Sequence, residues 1–234
     1  MEKLEFNQLA QGGFAGLIER RFVMDQRVFG GRKNPDTFDG LGNFVYLADA
    51  NFLPHGETGM HPHREVDVIS VMVDGRISHA GSLEHGQQIV AGQSQVQRAG
   101  GEGFAHNEIN PDTEQNQMIQ LWVLPDQHGE PAGYQVFEPN VGELQHIYGG
   151  KKGQRDRFYS ETSISVANLN AGQSVQLDGE VMMYISKGNG TVNNEPVTAR
   201  TLLRMASGVE FEAHSDAQVI LVYPTKEPTE RPHE

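Results

Sequence analysis

His61-Pro62-His63 and His106-Asn107-Glu108 are two places where this sequence sets metal-ligating side chains two residues apart. In an extended chain, residues i and i+2 point to the same face. Each short segment can therefore present two ligands on one side of a sheet. If the two segments are neighbours in a barrel, three imidazoles and one carboxylate converge on one point. That donor set suits Fe(II), Mn(II), Ni(II), Co(II), Cu(II) or Zn(II). An octahedral ion so held keeps two positions open for substrate, water or dioxygen, unlike a closed four-ligand structural zinc. Either dyad alone carries little weight, because a single His-x-His is commonly surface decoration. The argument rests on the pair, His61 and His106 standing 45 positions apart with hairpin signals between them.

Strands are the elements that must position these groups. Short apolar runs with turn residues at their ends recur from residue 43 onward: 43–48, 66–73, 76–79, 88–90, 94–97 and 118–124, the last ended by Pro125. Asp74-Gly75 reads as the turn of a hairpin joining 66–73 to 76–79. A polar stretch follows from Pro125 to Gly133, and the segment to Arg157 reads as a linker plus a swapped strand. The rhythm resumes at 163–166, 175–177, 181–185, 201–205, 209–211 and 219–223. This spacing predicts an all-β barrel or sandwich. No amphipathic helix of three turns is visible, and 14–24 reads as either a short helix or a strand. The halves are weakly alike: Val71 to Gly75 parallels Tyr184 to Gly188, and Gln120 to Pro125 parallels Val219 to Pro224. Seven of the ten histidines lie at or before His128, so a metal belongs in that part of the chain.

Composition narrows the classes further. The 234 residues suffice for one large or two small domains, and the 27 glycines suit many turns. With 18 basic against 31 acidic residues, the net charge of −13 disfavours binding to nucleic acid. Lys151, Lys152, Arg155 and Arg157 read as a solvated basic loop. Cysteine is absent, which excludes disulfides, thiolate metal sites and Cys nucleophiles. No secretory signal or apolar membrane span is visible, so a cytoplasmic monomer is the expectation. There is no P-loop, dinucleotide fingerprint or hydrolase elbow.

The segment from Gly59-Met60-His61-Pro62-His63-Arg64 to Asp74-Gly75 resembles the first cupin motif, and its His-Pro-His-Arg wording is pirin-like. Arg98 to Glu108 resembles the second pirin motif, with a Gly100–His106 loop one residue longer than usual. The likeness is sharp over residues 40–125. It implies a bicupin of two stacked antiparallel β-barrels, divided into a metal-binding barrel at 1–130 and a metal-free one at 131–234. It also implies one metal ion, commonly iron as Fe(II), on His61, His63, His106 and Glu108. Bacterial pirins of this kind are similar to quercetin 2,3-dioxygenases, which open a flavonol with O2. Glu108 would then take the proton of the flavonol hydroxyl. Animal pirins imply the alternative of an iron-dependent, redox-sensing regulator that binds partner proteins and has no enzymatic role. A metal-dependent isomerase is a third reading. Asp67 rivals Glu108 as fourth ligand, since strand parity puts it on the face of His61 and His63. By the same parity Asn107 points away; Trp122, mid-strand in an apolar run, reads as core, and His79 and His85 flank a hairpin loop and read as exposed. His55, Met60 and Phe104 are candidates for the pocket rim or wall.

Overall fold

Alternation along the long strands decides the architecture. In Asp67–Asp74, Ile69, Val71 and Val73 join one apolar cluster, while Val68 and Met72 on the other face join two different ones. A strand buried on both faces needs covering layers on both sides. The computed structural model, which describes residues 1–83 and 86–225, supplies them as two antiparallel β-barrels packed together through their larger sheets.

The first barrel joins a seven-stranded to a four-stranded sheet. The large sheet runs, in spatial order, Gly133–Phe137, Ser94–Arg98, Asp67–Asp74, Gln117–Val123, Phe44–Phe52, Leu17–Met24 and Gly12–Phe14. The small sheet runs His61–His63, Phe104–Ile109, Arg76–Gly81 and Gln88–Val90. The second barrel has a six-stranded sheet, Glu2–Glu5, Thr201–Met205, Val181–Lys187, Ala217–Pro224, Ser160–Leu169 and Leu144–Gly150. Its small sheet is Ser174–Leu177, Val209–Ala213, Asn189–Val192 and Glu195–Thr198. The internal likeness has a structural counterpart. Asp67–Asp74 and Val181–Lys187 each lie third from one end of the large sheet of their own barrel.

Several expectations change. The 14–24 segment is extended, with Gly12–Phe14 pairing back on Leu17–Met24. Asp74-Gly75 does not close a hairpin: it carries the chain from the large sheet to the small one, where Arg76–Gly81 pairs with Phe104–Ile109 and Gln88–Val90. Both strands have the period of two, which says nothing of which sheet each joins. Two strands lie across the division drawn at 130/131: Glu2–Glu5 pairs with Thr201–Met205, and Gly133–Phe137 with Ser94–Arg98. No helix among the described residues is long and apolar enough to cross a membrane.

Buried polar ties cross the interface between the barrels. Tyr148 donates its hydroxyl to Asp67 at 2.7 Å, and Tyr184 donates to Asp49 at 2.6 Å. Asp67 also accepts from the Arg98 guanidinium and the Ala99 amide. Asp67 thus lies on the strand face of Ile69 and Val71, toward the second barrel and away from the histidines, and the parity argument fails for a local reason. Glu65 adopts a left-handed backbone (φ +52°), which ends the His61–His63 strand and resets the alternation before Asp67 begins the next.

Burial pushes the Asp67 carboxyl up to about 6, against the opposing pull of Tyr148 and Arg98. Between about pH 4 and 6 the folded protein thus keeps a proton that the unfolded chain has released. The contribution of this group to stability falls as pH rises through that window. Urea unfolding of wild type and Asp67→Asn should show their free-energy difference falling, to the cost of wild type, by about 3 kcal/mol from pH 4 to 7. A pH-independent difference would mean that Asp67 ionises normally in the folded protein.

Candidate metal centre and cavity

Antiparallel pairing of His61–His63 with Phe104–Ile109 sets the register His106↔His61 and Phe104↔His63. His106 and Glu108 then follow on one strand and His61 and His63 on its neighbour. On the far side Gly81 lies opposite His106, and a Cβ there would meet the Ala105 carbonyl and the His106 Cβ. The missing side chain is what lets the two strands close around the imidazole.

The three histidines meet tip to tip. His63 Nε2 and His61 Nε2 each lie 3.1 Å from His106 Nε2. Among the described residues they form a group whose donor atoms are close enough to hold one metal ion. His61 Nδ1 lies 2.8 Å from the Gly59 carbonyl, which can only accept, so this nitrogen carries the proton and Nε2 keeps its lone pair. His106 Nδ1 meets the Gln97 amide at 3.2 Å, and Gln97 Oε1 is buried without a partner. Rotating that amide by half a turn would satisfy Oε1 with Nδ1–H and again leave Nε2 free. Burial, reinforced by the neighbouring imidazoles, depresses His63 to about 4 and His106 to about 2. All this favours neutral rings with converging lone pairs, the form that a cation takes.

Glu108 is fully buried on the same strand but lies outside that tight group. Ser70 and Gln95 donate to its Oε1 at 2.8 and 2.9 Å, and Gln120 to its Oε2 at 3.1 Å. Tyr134 in turn donates to Gln95 Oε1 at 2.9 Å. Desolvation raises the carboxyl to about 7 in spite of these three donors, none of which is charged.

A cavity of about 450 Å³ opens above the histidines, lined by His61, His63 and Glu108 among others. Its wall includes Phe29, Tyr46 and Trp122, whose rings stack with centroids 5.8 Å (Phe29–Tyr46) and 4.3 Å (Tyr46–Trp122) apart. Trp122 is therefore wall rather than core, with its ring 5.7 Å from His63. Glu19, also in the lining, accepts from Tyr46 and Arg21. Sequence reasoning missed these wall residues, and Ser70, Gln95, Gln97 and Gln120 beneath them. The inward parity of each strand was the available signal, but it needed the sheet partners to be known.

Other expected residues fall elsewhere. His79 is buried, not exposed, and donates Nε2–H to the Leu83 carbonyl at 2.8 Å, with its ring 5.5 Å from that of His106. His85 lies outside the described residues. Met60 is 61% exposed and Phe104 is core beside His63, and neither lines the cavity; nor does His55, which is exposed. Asn107 points away as expected, bonding Thr58 and Glu57.

A pirin family profile matches residues 26–123. A Mycobacterium tuberculosis (strain H37Rv) protein provisionally named quercetin 2,3-dioxygenase is 32% identical over 176 residues, 71% of each chain. The chain belongs to the pirin family. The Escherichia coli K12 quercetin 2,3-dioxygenase is 27% identical to this pirin over 172 residues, covering 70% of this chain and 74% of that one. Among solved structures, bacterial pirin YhhW of Escherichia coli in complex with nickel(II) superposes with a TM-score of 0.80 at 20% identity. That match covers 96% of this chain and 99% of the other, and supports the bicupin fold.

Long-range ¹H–¹⁵N spectra of the metal-free pirin should show His61 as the Nδ1–H tautomer at pH 8. Protonation at Nε2 instead would mean that the ring does not aim its lone pair at the cluster.

Proposed function

We propose that this pirin opens a flavonol such as quercetin with dioxygen, using one divalent metal ion, expected to be Fe(II), on His61, His63, His106 and Glu108. The observation that carries the reading is the meeting of three imidazole Nε2 atoms beside an aromatic-walled cavity that His61 and His63 line. The donor set fits a metal. The three lone pairs have few protons to share, and the nearby carboxylate has only neutral partners, so a cation would relieve both conditions.

A bound ion would polarise the flavonol hydroxyl and carbonyl and gather the reactants. The chain does the rest. The face of the Phe29–Tyr46–Trp122 stack holds a flat ring system. Glu108 accepts the proton of the 3-hydroxyl on a carboxylate oxygen, while Ser70, Gln95 and Gln120 keep that carboxylate oriented. Glu19 is the lesser base, because Arg21 already neutralises it. The open cavity favours this reading over the regulator, for which a filled pocket beside an exposed patch is expected.

Oxygen uptake with quercetin, on protein reconstituted anaerobically with Fe(II), tests the proposal. Uptake should vanish in His61→Ala and His106→Ala and fall by about 10²-fold or more in Glu108→Gln. No uptake despite one tightly bound metal per chain would overturn the dioxygenase reading, and no bound metal would overturn the four-residue site. Separately, Gln97→Leu should weaken metal binding by about 10–100-fold, read by chelator competition, by removing the polar partner of His106 Nδ1. Unchanged affinity would show that Gln97 does not orient the ring.

A further inference from the structure

The second barrel is filled with Met183, Ile185, Leu203, Met205, Val219 and Leu221, yet one end of its interior is polar. On Ser160–Leu169, Ile164 and Val166 face the other barrel, so Ser163 and Ser165 face inward. Ser165 shares a hydrogen bond with Tyr223 at 2.8 Å, and Ser163 one with Thr225 at 2.6 Å. Together with His146 and the loop bearing Lys151 and Arg157, this end encloses a cavity of about 320 Å³ that the proposed reaction does not use.

Its chemistry is unlike the chain average. The protein carries 31 acidic residues against 18 basic, but among the described residues no carboxylate lines this cavity while Lys151 and Arg157 do. Arg157 pairs with Asp156 through Nη1. Its other nitrogens reach the Gly149 carbonyl and Gln154 Oε1 only at 3.4 Å, which leaves donor capacity unused. His146 Nε2 is buried with no hydrogen-bond partner. Burial, then the charge of Arg157, pushes the pKa of the ring down to about 4. At neutral pH the ring is thus uncharged with Nε2 short of a hydrogen-bond partner, a condition that calls for an explanation. Leu177 and the Tyr223 ring add an apolar wall.

We propose that this cavity binds a small hydroxylated aromatic carboxylate. The carboxylate pairs with Arg157 and Lys151, the ring lies against Leu177 and Tyr223, and the ligand hydroxyl hydrogen-bonds with His146 Nε2. Ser163 and Thr225 supply further hydroxyls at the rim. The site is independent of the metal centre, so loss of metal in the first barrel leaves it intact.

Titration of the full-length protein with 4-hydroxybenzoate, followed by the ring resonances of selectively labelled histidines, tests the site; His146→Gln assigns the signal. The expected result is a saturable shift at His146, with affinity reduced about tenfold by Arg157→Gln and benzoate binding more weakly than its hydroxylated analogue. Arg157 is a surface-loop residue, and the circular dichroism spectrum of the variant checks that it folds. No saturable shift, a shift that Arg157→Gln leaves unchanged, or equal displacement by inorganic phosphate would overturn the proposal.

Discussion

His61 Nε2 and His63 Nε2, each held 3.1 Å from His106 Nε2, make an arrangement that a folded chain must impose, because buried imidazoles do not gather three to a point unaided. Protonating His63 or His106 places a positive charge against neighbouring imidazoles, and burial deepens that penalty. The rest of the first barrel serves this constraint. The antiparallel register fixes His61 against His106, Gly81 makes room on the opposite side, and the Gly59 carbonyl sets one tautomer. The force that holds the small sheet closed comes from outside it, chiefly from the apolar layer between the two large sheets.

The two barrels repeat one plan but fill it differently. Inward positions of the first large sheet carry Ser70, Gln95, Gln97, Gln120 and Trp122, whereas those of the second carry Met183, Ile185, Leu203, Val219 and Leu221. A polar interior is costly unless its groups bond one another, and in the first barrel most of them do. The second barrel is the more conventional hydrophobic body. Through Tyr148 and Tyr184 it also supplies hydroxyls to Asp67 and Asp49, buried carboxyls of the first. Those ties explain why a barrel with no histidine cluster of its own remains fastened to one that has it.

Much of this was legible in the sequence where a local rule decided the outcome. The i, i+2 spacing put each dyad on one face, and the strand rhythm gave the all-β class. Local rules failed where the chain turned a corner. Parity carried Asp67 onto the histidine face until the left-handed Glu65 broke it, and a good hairpin signal at Gly75 turned out to join two sheets. His79 read as exposed because its loop looked polar, although its strand pairs directly with that of His106 in the same small sheet. Trp122 read as core because an inward aromatic in an apolar run looks the same whether it meets other side chains or an open cavity.

The two carboxylates of the cavity show how its field is graded. Glu19 faces a guanidinium, so the pair contributes little net charge to the space above the histidines. Glu108 is surrounded by a hydroxyl and two amides, which orient a carboxylate without neutralising it. A buried carboxylate with only neutral partners either holds a proton or attracts a cation, and the neutral imidazoles beside it cannot supply the charge. Replacing one of the neutral donors by lysine or arginine would satisfy Glu108 more fully and remove the imbalance. The glutamines at 95 and 120 thus orient the carboxylate beside the cavity without neutralising it, and the metal ligation proposed above would supply the missing charge.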